Sequence, residues 1–153
     1  MSEGRVIEIF TGPEERGPVL SRSSVTAVAG AGLEGDRYFQ GDVPLEERDP
    51  TLEITLITIE GIRAAAEASG IDITPADTRR NLITEGIELT SLLGTKFWVG
   101  EVQIEGLQDN PPCAYLQRMV GKKLLKPLMG RGGIRGRIVT GGTIKPGDPI
   151  VPA

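Results

Sequence analysis

Punctuation by glycine and proline is what most restricts this chain: 21 Gly and 11 Pro are spread through 153 residues. Both interrupt helices, and they cut the sequence into short apolar runs rather than long periodic ones. The runs are β-branched: Arg5–Phe10 reads RVIEIF, Ser24–Ala29 SVTAVA and Glu53–Ile59 EITLITI. Further strands are expected at Asn81–Thr84, Lys96–Val99, Glu101–Glu105, Ile134–Val139, around Ile144 and in the PIV that follows Gly147–Asp148. Apart from a single helical turn expected at Thr90–Leu93 before Gly94, helical patterns occur in three places. Ile62, Ala65, Ala66 and Ser69 recur on one face before Gly70, Ala114–Val120 has Leu116, Met119 and Val120 together, and Lys122–Met129 is a third candidate. Short strands outnumber helices and do not alternate with them, which argues against a doubly wound sheet. The expected fold is mostly β: a largely antiparallel β-barrel with two or three short helices, a single domain over residues 1–153.

Composition excludes several chemistries. The chain has no His, so no Ser-His-Asp or Cys-His site can form and no zinc site can use His. It has one Cys, so no intrachain disulfide and no cysteine cage can form. Lys and Arg number 17 against 21 Asp and Glu, a net charge of −4, and aromatics make up 4%. That balance disfavours nucleic acid and anionic membranes as partners. The MSEGRVIEIF start lacks the basic-then-apolar pattern of a signal peptide, and no apolar run is long enough to span a bilayer, so a cytoplasmic location is expected.

Few side chains remain to carry chemistry. Cys113 is the only strong nucleophile or soft metal ligand, and it follows Pro111 and Pro112 at the start of a predicted helix. Such a position favours the thiolate and fixes its direction, although most lone cysteines are small buried hydrophobes. Arg79, Arg80 and Asn81 lie at the start of a predicted strand. On an extended chain one guanidinium would face a cavity and the other solvent, or an arginine would simply pair with Asp77 or Glu85. Gly30, Gly32 and Gly35 in GAGLEG imitate a dinucleotide fingerprint, but no amphipathic helix follows. The segment is better taken as a glycine-rich loop presenting Asp36 and Arg37. Arg131, Arg135 and Arg137 in GRGGIRGR suggest one local positive patch, and Lys122, Lys123 and Lys126 are expected to be solubilising charges.

Taken in order, GLEGDRY, EITLI, TRRNLITEGIEL, GTKFWVGEVQIEG, PPCAYL and GRGGIRGRIVTGGTIKPGD resemble the MOSC domain, the C-terminal domain of molybdenum cofactor sulfurases. The resemblance runs from about Val6 to Val151 and implies a β-barrel-rich fold with a pivotal cysteine, here Cys113. In relatives that hold a molybdopterin cofactor this cysteine ligates molybdenum; in sulfur-transfer proposals it carries a persulfide. Arg37, Arg80 and Asn81 match positions near the pterin-phosphate site of such relatives, and Arg131 matches a recurrent arginine without an assignable role.

One departure is visible: where close relatives often have C-x-P-C, this chain has Asn110-Pro111-Pro112-Cys113, so no two-thiol relay is possible. Three functions follow as expectations. The first is a molybdenum-cofactor-binding domain with Cys113 on the metal, in a possible reductase of N-hydroxylated compounds served by a separate electron-donor protein. The second is a metal-free sulfur carrier, loaded on Cys113 by a separate pyridoxal-phosphate cysteine desulfurase. The third is a non-catalytic β-barrel binding module.

Overall fold

The computed structural model describes residues 4–153; the first three residues of the expected domain lie outside the described residues. Eleven strands form: β1 Gly4–Thr11, β2 Leu20–Ser21, β3 Val25–Val28, β4 Gly32–Leu33, β5 Ile54–Thr58, β6 Leu82–Glu85, β7 Lys96–Val99, β8 Val102–Asp109, β9 Ile134–Thr140, β10 Gly142–Ile144 and β11 Pro149–Pro152. Among the described residues two α-helices accompany these eleven strands, α1 Ile59–Ser69 and α2 Ala114–Val120, with single turns of 3₁₀ helix between. Seven strands run in the order β11-β7-β8-β9-β5-β6-β1, and β1 pairs back onto β11, so the sheet closes into a barrel without free edges. Pairing around it is antiparallel except between β5 and β6, which are parallel and joined through α1. Strands β10, β3 and β4 form a small separate sheet.

Side-chain alternation on the barrel strands builds two cores. Ile54 and Leu56 of β5, Leu82 of β6 and Ile104 of β8 join one apolar cluster with Val6, Phe97 and Ile138. The opposite faces of the same strands, through Ile57 and Ile83, form a second cluster with Ile62 and Ala65 of α1 and with Leu116, Leu124 and Leu128. Thus α1 packs on the barrel wall beside a chain excursion, residues 113–131. Thr58 caps α1 by accepting from Gly61 N at 3.0 Å, and Gly70 ends it in the left-handed conformation.

The expected mostly-β, largely antiparallel barrel is therefore present, and two of its elements, β7 and α2, have the boundaries expected from sequence. The third helix is absent. Residues Lys122–Met129 form a bend followed by turns: Pro127 supplies no donor N–H and disfavours helix in the residue before it, while Lys122 is drawn away to the turn before β6. Its Nζ donates to Asp77 Oδ2 and to the Asp72 carbonyl, each at 2.6 Å. Lys122 is an anchor rather than a solubilising charge.

Candidate functional site

A cleft of about 120 Å³ gathers residues that are far apart in sequence: Arg37, Arg79, Arg80, Asn81, Cys113 and Arg135 all line it. Cys113 is the N-cap of α2, its thiol makes no capping hydrogen bond, and the residue is exposed. Two backbone features hold it there. The β8–α2 connection is stiffened by Pro111 and Pro112, and it rests on the glycine pair before β9. A Cβ on Gly132 would lie 2.2 Å from the Asn110 carbonyl oxygen, and one on Gly133 would lie 1.9 Å from that of Leu56. Only glycine permits both approaches.

Arg80 fixes the same connection from below. Its Nη2 donates to the carbonyls of Asn110 (2.6 Å) and Pro111 (3.4 Å), Nε to Gly132 (3.0 Å) and Nη1 to Thr78 (3.2 Å). The side chain is buried, which lowers its pKa to about 10; Arg135 pushes in the same direction and Cys113 against it. It stays cationic at neutral pH, with four of its five N–H groups committed to carbonyls. Asn81 is likewise engaged. Its Oδ1 accepts from the backbone N and hydroxyl of Thr55, and its Nδ2 donates to the Phe10 carbonyl, so it ties β1, β5 and β6 together.

Arg37 and Arg79 differ. The Nε of each is buried and, among the described residues, has no hydrogen-bond partner. Arg37 stacks on Tyr38, 4.4 Å from the ring centre. Burial first, then the neighbouring Arg37 charge, lowers the Arg79 pKa, so the two cations share one region. Arg79 does not obey the alternation expected of an extended chain. It ends the Pro75–Thr78 turn with φ 56, and this left-handed step lets consecutive arginines line one cleft. A local signal for it exists: Thr74-Pro75-Ala76-Asp77 is a capping box with proline in the first turn, marking a helical turn directly before Arg79.

Neither suggested ion pair of Arg79 or Arg80 forms, since Asp77 pairs with Lys122 and Glu85 with Arg5. Asp36 is a loop staple, accepting from Gly12 N at 2.9 Å and Tyr38 N at 3.4 Å. Segment 12–18 crosses beside the cleft on side-chain latches. Arg79 donates to the Gly17 carbonyl at 2.9 Å, and the Tyr115 hydroxyl donates to that of Glu15 at 3.2 Å.

The single arginine patch expected near residue 131 is divided. Arg135 belongs to this cleft, Arg137 pairs with Glu105 at 2.6 Å, and Arg131 lines a separate cavity of about 400 Å³ at the start of α1. That larger cavity contains Glu60 and Glu88 but no thiol. Among the described residues no three His, Cys, Asp or Glu side chains converge as a metal cluster, and no helix is long and apolar enough to cross a membrane.

A closed, mostly-β barrel with one exposed thiol among guanidinium groups thus defines the molecule. The chain belongs to the MOSC domain family, whose model matches residues 48–151. Its fold is similar to that of the YuaD protein from Bacillus subtilis, with a TM-score of 0.80 at 17% identity over 97% of this chain and 94% of the other. YiiM from Escherichia coli gives a TM-score of 0.71 at 20% identity over 100% of this chain and 70% of its own. YiiM from Geobacillus stearothermophilus gives 0.71 at 17% over 98% and 75%. No curated protein matches the chain significantly.

Proposed function

We propose that this MOSC domain binds a molybdenum cofactor, with the Cys113 thiolate as the metal's protein ligand and the arginine cleft as the seat of the cofactor's anionic groups. The observation that carries this is the shared cleft of Cys113, Arg37, Arg79, Arg80 and Arg135. Molybdenum accepts thiolate, and guanidinium is suited to phosphate. One thiolate in a cleft with a single carboxylate, Asp36, and no imidazole is a poor site for a bare divalent cation. It suits a metal that arrives with ligands of its own.

The residues fit the group in charge and donor type. Arg37 and Arg79 line the cleft with hydrogen bonding incomplete, since the buried Nε of each has no partner among the described residues. The cleft, about 120 Å³, has room for a phosphate or metal-oxo group, and a pterin bound there would extend beyond it. Within this site Arg37 and Arg79 bind the anion. Arg80 and Asn81, whose hydrogen bonds are committed to backbone, position the walls, and Arg80 sets the direction of Cys113. Arg80 retains one N–H for a ligand. When bound, the cofactor supplies two-electron redox chemistry at the metal, and the family resemblance suggests N-hydroxylated compounds as substrates, with electrons from a separate protein.

The exposure of Cys113 supports a second reading, a metal-free sulfur carrier. The Cys113 thiolate would attack the outer sulfur of a desulfurase persulfide. One S–S bond forms as another breaks, and the desulfurase leaves as thiolate. With no second cysteine, the product cannot be discharged as an internal disulfide.

Protein produced in cells that synthesise the cofactor distinguishes these. The expected result is bound molybdenum with a fluorescent pterin oxidation product, both lost in Cys113→Ser. Molybdenum retained by that variant overturns the ligand assignment. If no molybdenum is found but a cysteine desulfurase adds one sulfur to the wild type and none to Cys113→Ser, the carrier reading stands. If neither occurs, the domain is a binding module.

A further inference from the structure

Charge is distributed very unevenly along this acidic chain. Residues 110–147 contain eight cations and no carboxylate, which leaves nine cations against all 21 acids elsewhere. The segment's net charge is +8 and that of the remainder −12. Three of the eight are neutralised, Lys122 by Asp77, Arg137 by Glu105 and Lys145 by Asp148, and Arg135 lies in the cleft. Arg118, Lys123, Lys126 and Arg131 have no acidic partner among the described residues, and all four are exposed.

These four belong to the excursion 113–131. Its inner side is set by Leu116, Leu124 and Leu128, buried against the barrel wall. Gln117 folds it together by accepting from Leu125 N at 3.0 Å. Its exposed residues include Cys113, Arg118, Lys123, Lys126 and Met129, while Arg131 at its end opens onto the separate cavity at α1. Unpaired cations on a segment without a single carboxylate, the segment that also carries the exposed thiol, make a positive face on an otherwise acidic molecule.

We propose that the outer face of residues 113–131 docks an acidic protein, one presenting a cluster of carboxylates, and brings it to Cys113. This rests on Cys113 being the working residue of the domain. A protein partner suits the charge pattern better than nucleic acid or a membrane. The −12 remainder would be repelled by an extended polyanion, whereas a compact acidic surface covers this face alone.

Alkylation of Cys113 in metal-free protein by a neutral maleimide tests the proposal independently of molybdenum content, with a short polymer of L-glutamate, a few residues long and so confined to this face, as the probe. The polymer is expected to slow alkylation at least threefold at low salt, roughly, with protection fading as salt approaches about 0.15 M. Lys123→Glu combined with Lys126→Glu is expected to weaken protection by about three- to tenfold in polymer concentration. Arg118→Glu should act in the same direction, and Lys96→Glu on β7 should leave protection unchanged. No protection of the wild type, or protection that survives both sets of reversals, overturns the proposal. So does equal protection by single-stranded DNA or phosphatidylglycerol vesicles, which would make the face a general polyanion surface. Loss of molybdenum binding with protection intact would remove the cofactor reading and leave the docking face standing.

Discussion

Arg79 and Arg80 are chemically identical neighbours with different work, and hydrogen-bond geometry separates them. Arg80 serves four carbonyls from a buried position, so its removal leaves buried acceptors unsatisfied. Arg80→Ala is expected to cost about 2–4 kcal/mol in urea unfolding, and Arg79→Ala under about 1 kcal/mol. Comparable losses would mean that Arg79 is structural too. Glu53 offers a contrast. Burial raises its pKa, opposed by the hydrogen bond it accepts from Ile138 N and by the Arg137 and Arg48 charges. For an acid with a raised folded-state pKa, ionisation costs stability as pH climbs past the ordinary value of 4.5. Glu53→Gln keeps an acceptor without the charge, so its melting temperature at neutral pH should equal or exceed that of the wild type. A clear drop would show that the carboxylate's ion pairing outweighs its burial.

Segments around the cleft are held by few contacts, which makes their order sensitive to single changes. The 12–18 segment is latched by Arg79 and Tyr115, while Glu14, Glu15 and Arg16 are themselves exposed. Tyr115→Phe removes one latch without altering charge, and trypsin should then cut after Arg16 faster than in the wild type; an unchanged rate would show that Arg79 suffices. The excursion 113–131 depends on Asp77. Burial tends to raise this carboxyl, but Lys122 and Thr74 outweigh it and hold it below the ordinary 3.8. A depressed acid stabilises the folded form above its unfolded pKa, and that contribution is lost as pH falls below 3.8. Hydrogen exchange at residues 122–129 should therefore rise first in that acid range, and Asp77→Asn should show the same loosening at neutral pH.

At the scale of the molecule, closure of the barrel is the cooperative element. Strand β11 pairs with β7 on one side and β1 on the other, and its Ile150 is buried in the interior cluster. Ile150→Ala should cost about 2–5 kcal/mol. Because both cores share the walls β5 and β6, unfolding followed by circular dichroism and by Trp98 fluorescence should coincide. Separate transitions would mean that the excursion and α1 unfold apart from the barrel.

The sequence by itself determined the element types and the chemical inventory. β-branched runs between glycines specify strands by local sterics, helix boundaries such as Ala114–Val120 follow from flanking proline and glycine, and one thiol without histidine bounds the possible chemistry. What only the tertiary structure decided was which side chains share a surface. Arg135 joined Cys113 while Arg131 did not, Arg79 turned toward Arg37, and Lys122 left its neighbours for Asp77. Strand pairing and barrel closure bring together residues dozens of positions apart, and a single left-handed residue reverses the direction of a side chain. Those outcomes depend on packing between distant segments, on which local propensity has no purchase.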